Sequence, residues 1–272
     1  MLTFPNAKIN LGLNVVEKRS DGYHNIETVF YPLQLRDALE LIPSSNGEFS
    51  FSSGGIPIGG NLEDNLVVKA YNLLKDKYNL PAITIYLHKT IPFGAGLGGG
   101  SSDAAFMLKM LNNYFSLNID NHSLKEYARI LGADCPFFLQ NTPSFASGIG
   151  DKFKNINLSL KGYYLVLIKP DIHVSTVKAY NMIIPSHPEK SITELISLPV
   201  EQWKGVLKND FEEGVFSLYP VINFIKGKLY ETGAIYAAMS GSGSAVFGLF
   251  KEKKEIKNLF PDCFFWSEKL RL

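Results

Sequence analysis

Pro92-Phe-Gly-Ala-Gly-Leu-Gly-Gly-Gly-Ser-Ser-Asp103 is the stretch on which the fold of this chain turns. Five of the seven residues from 94 to 100 are glycine. Such a run loses much backbone entropy on folding and needs a compensating role. Without Cβ atoms, successive N–H groups converge, and a helix starting there adds the positive end of its dipole. The flanking sequence supplies that setting. Upstream, Ile83, Ile85 and Leu87 alternate with Thr84, Tyr86 and His88, the period of a strand. Downstream, Ala104, Leu108, Leu111 and Phe115 fall on one helical stripe. A glycine loop between a strand and an amphipathic helix reads as a phosphate cradle, where a flexible linker is the bland alternative.

The familiar cradles do not fit. A Walker loop needs Lys before the final Ser, and that place is Gly100. Gly94, Gly96 and Gly99 match G-x-G-x-x-G by letter, but Lys89-Thr-Ile-Pro92 separates strand from loop, and the match lies far from any opening βαβ unit. No H-R-D or D-F-G follows, which excludes a protein kinase. A second small-residue loop, Ser240-Gly-Ser-Gly-Ser244, lies about 140 residues on. Alone it is a tight turn or a site; paired with the first it reads as the opposite wall of one phosphate-lined cleft.

Working outward, Ala7, Ile9, Leu11, Leu13 and Val15 alternate with Lys8, Asn10, Gly12 and Asn14, which predicts a half-buried strand with Lys8 and Asn10 side by side on its polar face. Ser123-Leu-Lys-Glu126 predicts a capping box and Gly132 the end of that helix. Asp134-Cys-Pro136 follows, placing Asp134 near the start of another helix. Beyond Gly150 come a short apolar strand at Tyr163–Lys169, a helix capped by Ser175 or Thr176, helix after Asn209, and a strand at Gly233–Met239 leading into the serine loop. Strands and helices mix without regular βαβ spacing, which predicts an α+β fold. A division near 150–160 is expected, giving units 1–155 and 156–272.

The composition fits. The 272 residues are 46% hydrophobic and 19% charged, enough for a sizeable core. A net charge of +1, with only Arg19, Arg36, Arg129 and Arg271 among 27 cationic residues, predicts no nucleic acid or anionic membrane as partner. Cys135 and Cys263 make no disulfide framework, no signal-peptide pattern opens the sequence, and the longest apolar run, Tyr163–Ile168, is far short of a membrane span. A cytoplasmic enzyme, monomer or homodimer, is expected. No metal-ligand spacing occurs among the five His residues, and no G-x-S-x-G elbow.

Pro92-x-x-x-Gly-Leu-Gly-Gly-Gly-Ser-Ser together with the late Ser-Gly-Ser-Gly-Ser resembles the GHMP kinases, which act on galactose, homoserine, mevalonate and phosphomevalonate. Pro5-Asn-Ala-Lys-Ile-Asn-Leu-Gly-Leu13 and Arg19-Ser-Asp-Gly-Tyr-His-Asn-Ile-Glu-Thr-Val-Phe30 narrow the resemblance. They point to the branch that phosphorylates the 2-hydroxyl of 4-diphosphocytidyl-2-C-methyl-D-erythritol in the non-mevalonate isoprenoid pathway. Leu131–Phe138, His173–Tyr180 and Asn209-Asp-Phe-Glu212 match the same branch, so the resemblance runs from residue 5 to about 250. Cys135 departs from it, standing where an aliphatic residue is usual, and serves there as a small hydrophobe.

The resemblance implies a two-domain GHMP fold with the active site in the inter-domain cleft, an N-terminal sheet packed on helices and a ferredoxin-like C-terminal layer. It implies ATP and Mg²⁺ as cofactors, with the Mg²⁺ ligands unassigned. Lys8 and Asp134 become the catalytic pair; read alone, they are a solvated strand residue and a helix N-cap. ATP falls to Pro92, Phe93, Gly94, Ala95, Gly96, Leu97, Gly98, Gly99, Gly100, Ser101 and Ser102, with Asn65 and Lys89 lining the nucleotide pocket. Substrate falls to Asn10, Tyr23, His24, Tyr180, Ser240 and Gly241. Tyr23 and Tyr180 would sandwich the cytosine, where partial core burial is the ordinary fate of such rings. A GHMP kinase acting on homoserine or a sugar, and a non-catalytic nucleotide-binding module, are the rival readings; Tyr23-His24 opposes the first and Lys8 with Asp134 the second.

Overall fold

The computed structural model describes all 272 residues. In chain order its elements are β1 (Leu2–Thr3), β2 (Asn6–Lys18), β3 (His24–Arg36), β4 (Ala38–Pro43), β5 (Ser50–Gly55), α1 (Leu66–Tyr78), β6 (Ile83–Lys89), α2 (Gly99–Tyr114), α3 (Asn121–Leu131) and α4 (Cys135–Gln140). There follow β7 (Ser144–Ser147), β8 (Lys152–Asn155), β9 (Tyr164–Lys169), α5 (Thr176–Asn181), α6 (Ile192–Ile196), α7 (Phe211–Leu218), α8 (Pro220–Glu231), β10 (Tyr236–Met239), β11 (Val246–Phe250) and β12 (Phe264–Lys269). The class is α+β. The long helical stretch after Asn209 is two helices because Pro220, lacking an N–H, opens a new one as its first residue.

Two compact units emerge. The first comprises Met1–Lys8, Pro32–Phe93 and Gly98–Thr142. Its sheet has the order β1-β4-β6-β5, antiparallel except for the parallel β5–β6 pair. The alternation expected around Ile83 holds: Ile83, Ile85 and Leu87 are buried with Leu108, Leu111 and Ala104 of α2 in one apolar cluster. The second unit comprises Ile9–Tyr31, Gly94–Leu97 and Pro143–Leu272. It carries the sheet β10-β11-β9-β12 and most of the sheet β2-β3-β7-β8. Its core packs α8 through Ile222, Ile225 and Leu229 onto Val166, Ile168 and Val246.

Two local expectations are corrected. The strand over Ala7–Val15 is buried on both faces, not one: Lys8, Asn10 and Asn14 are buried along with Ile9 and Leu11. Residues far away in sequence cover its polar face, as the site shows below. The helix at Ser123 begins earlier, at Asn121, with Asp120 as its cap. Asp120 accepts both the Ser123 N–H (2.9 Å) and the Ser123 hydroxyl (3.0 Å), so Ser123 cannot itself cap, and Glu126 pairs with Arg129. Gly132 does end this helix, and Ser175 rather than Thr176 caps α5.

Candidate active site

The glycine loop is built as its composition demands. Gly94, Gly96 and Gly98 all have positive φ (61°, 73° and 69°), which L side chains rarely adopt. At Gly96 space forbids a side chain too: a Cβ would lie 1.9 Å from the Ser240 carbonyl oxygen. Gly98 is the N-cap of α2, a helix of 16 residues whose N-terminus therefore opens directly off the loop. In the first turn of α2 the Ser102 hydroxyl is fully buried and meets no protein partner.

In the first unit, Lys8 and Asp134 come together. The Lys8 ammonium, 3% exposed as a residue, lies 3.5 Å from Asp134 Oδ2. Burial pulls the Lys8 ammonium below its ordinary value, and Asp134 partly offsets this. Asp134 occupies the N-cap of α4, yet its side chain makes no capping hydrogen bond. The carboxylate is therefore committed to Lys8 and, on its half-buried side, open to a ligand. Gly98 belongs to the same cluster: a Cβ there would stand 2.9 Å from Phe138 Cζ and 3.1 Å from Lys8 Cε.

Also in the first unit, a cavity of about 450 Å³ is lined by Asn65, Leu66, Lys89, Phe93, Gly100 and Asp103, among others. Asn65 caps α1, accepting the Val67 N–H at 2.9 Å. Lys89 is held from beneath the loop by two carboxylates, Asp37 and Asp103, the latter at 2.7 Å. Asp37 also accepts the Thr90 and Ile91 N–H groups at 2.6 and 2.8 Å, so it fixes the segment that leads into the loop. Burial raises the Asp103 carboxyl to about 8 despite Lys89, and its Oδ1 has no partner. For Lys89, burial is outweighed by the two carboxylates, and its ammonium is held above the ordinary value. Asp37 and Asp103 were not expected from the sequence. The signal was there: Lys89 shares the buried parity of Ile83, Ile85 and Leu87, so its charge needed buried partners.

In the second unit the two small-residue loops meet. The Ser240 hydroxyl donates to Gly96 O at 2.8 Å and accepts the Asn10 N–H at 3.2 Å, and the Ala245 N–H donates to Ala95 O at 3.2 Å. Asn10 Nδ2 donates to Thr28 Oγ1 at 3.0 Å. Of the expected aromatics, His24 rather than Tyr23 meets Tyr180: their rings stack with centroids 4.7 Å apart and planes 15° apart. Tyr180 also sits edge-on to Phe211 at 4.9 Å, while Tyr23 is 61% exposed. No group of three or more His, Cys, Asp or Glu side chains is placed to hold a metal by itself. No helix is long and apolar enough to cross a membrane.

Residues 65–142 match the family described as GHMP kinases N terminal domain, and residues 193–261 the one described as GHMP kinases C terminal. A mevalonate kinase crystal structure shares the fold, with a TM-score of 0.69 at 16% identity over all of both chains. These family matches define the class, a small-molecule phosphotransferase whose phosphate donor is ATP. The 4-diphosphocytidyl-2-C-methyl-D-erythritol kinase of Parabacteroides distasonis is 57% identical over 99% of this chain and all of its own. That of Bacteroides fragilis is also 57% identical, over the whole of both. A crystal structure of 4-(cytidine 5'-diphospho)-2C-methyl-D-erythritol kinase matches with a TM-score of 0.83 at 32% identity, over 98% of each chain. The chain belongs to this family of GHMP kinases.

Proposed function

We infer that the chain transfers the γ-phosphoryl group of ATP to the 2-hydroxyl of 4-diphosphocytidyl-2-C-methyl-D-erythritol, supplying the non-mevalonate route to isoprenoid precursors. The family relationship supports the substrate. The observation that carries the chemistry is the Lys8–Asp134 pair, in which a carboxylate at a helix N-cap forgoes the cap for a buried ammonium. In the transfer, the substrate oxygen bonds to the γ-phosphorus, the bond from phosphorus to the β–γ bridging oxygen breaks, and ADP leaves. Asp134 takes the hydroxyl proton, and Lys8 holds the carboxylate in place and offsets the negative charge that gathers around it.

Pro92–Ser102 takes the triphosphate, through backbone N–H groups and the positive end of α2, and Asn65 and Lys89 border the nucleoside. Lys89 does so as a strut, since Asp37 and Asp103 already hold its ammonium. Asn10, Tyr23, His24, Tyr180, Ser240 and Gly241 serve the second substrate, the rings taking the cytosine. Mg²⁺ suits a site without an all-protein cage, because it keeps water and binds through one or two protein oxygens plus phosphates. The orphan Ser102 hydroxyl is such an oxygen. Bound there, the ion would neutralise phosphate charge. Release of ADP that depends on this alcohol tests the reading; ADP release that ignores it contradicts it.

A further inference from the structure

Asn209-Asp-Phe-Glu212 matches the family, yet none of its residues has a place in the chemistry above. Asn209 is 3% exposed and every polar atom of its side chain has a partner. Its amide donates to Met239 O and to Gly241 O, both at 2.8 Å, and its Oδ1 accepts the Phe211 N–H at 3.0 Å. The backbone on either side is pinned to β2: Leu13 N–H donates to Lys208 O, Asp210 N–H to Leu13 O, and Val15 N–H to Asp210 Oδ2, at 2.9, 2.9 and 2.7 Å. Glu212 accepts the Met239 N–H at 2.8 Å. The motif thus ties the serine loop to the strand that bears Asn10.

The direction of those bonds has a chemical consequence. In a trans peptide the C=O and the following N–H point opposite ways. Drawing Met239 O inward turns the Ser240 N–H outward, where it is spent on Ala245 O at 2.9 Å. Drawing Gly241 O inward turns the Ser242 N–H away from Asn209, and no protein acceptor meets it. Ser242 is half-buried, and its hydroxyl lies 3.1 Å from that of Thr176 at the start of α5, the helix that carries Tyr180.

We propose that Asn209 is a positioning residue that fixes the Ser242 amide as the donor to the substrate's diphosphate. This rests on the substrate reading above and moves the phosphate contact two residues along the loop from Ser240, whose amide is occupied. Asn209→Ser removes both amide donors and leaves a smaller side chain. In binding measurements, affinity for cytidine diphosphate falls roughly ten- to a hundredfold, the range for lost bonds to a charged group, while affinity for cytidine and for a non-hydrolysable ATP analogue stays within about twofold. In turnover, KM for the alcohol rises far more than kcat falls. Should Asn209→Ser not fold, backbone NMR of the wild type decides: cytidine diphosphate shifts the Ser242 amide and cytidine does not. Equal losses for cytidine and its diphosphate, or a Ser242 amide indifferent to the diphosphate, overturn the proposal. A wild type that binds cytidine diphosphate and turns over the alcohol under either result leaves the substrate reading intact; a wild type that does neither refutes both.

Discussion

The Lys8 ammonium lies 3.5 Å from a carboxylate, Asp134, that sits at the N-cap of α4 without capping it. A structural Asp at that position would bond the N–H groups of the first turn, which is worth about 1 kcal/mol. Here that stabilisation is forgone. Asp134→Asn keeps the shape and removes the proton acceptor, so turnover falls about 10²–10⁴-fold with little change in either substrate's Kd. Steady-state kinetics and calorimetry on the one variant check this; near-normal turnover would make Asp134 a bystander.

Gly98 and Gly227 give opposite outcomes for one substitution. Gly98 has φ +69° and its Cβ would press on Phe138 and Lys8, so Gly98→Ala lowers ATP affinity and turnover together. Gly227, inside α8, has nothing within 4 Å of a Cβ and no positive φ, so Gly227→Ala stabilises by roughly 0.5–1 kcal/mol. Thermal melts and titration with an ATP analogue distinguish them.

The two tyrosines separate recognition from packing. Tyr23 is exposed, so Tyr23→Ala weakens the cytidine-bearing substrate roughly 5- to 150-fold at unchanged Tm, the range for one lost base stack. Tyr180 also holds His24 and Phe211, so Tyr180→Ala lowers Tm as well as substrate affinity. An unchanged substrate affinity in Tyr23→Ala would remove its ring from the site.

Asp103 sets a pH signature. Burial raises its folded-state value to about 8, whereas the unfolded chain releases that proton near 4. Between those values the native state binds more protons, so this group's contribution to stability falls as pH rises through the window. Asp103→Asn flattens that part of the profile. Tm measured from pH 5 to 8 on both proteins tests it, and parallel profiles would contradict it.

Local chemistry made much of this legible. The glycine loop, the strand into it, the amphipathic α2 and the placing of Asp134 at a helix start all follow from neighbours in sequence. What escaped is what distant residues decide. Lys8 and Asn10 read as a solvated face because the sequence does not say that Asp134 and Ser240 cover them. The Asp37–Lys89–Asp103 cluster depends on the β4–β6 pairing, and Asn209 on a loop 30 residues on. The capping error is of another kind: two candidate caps compete within four residues, and Asp120 wins because a carboxylate accepts two bonds at once.

The most direct test mixes 4-diphosphocytidyl-2-C-methyl-D-erythritol, homoserine, mevalonate and galactose in equal amounts with ATP, Mg²⁺ and the enzyme, and identifies products by mass and phosphorus NMR. One product is expected, the cytidine-bearing alcohol carrying a new phosphate on its 2-oxygen, with the other three untouched. A phosphorylated homoserine, mevalonate or sugar in its place would contradict it.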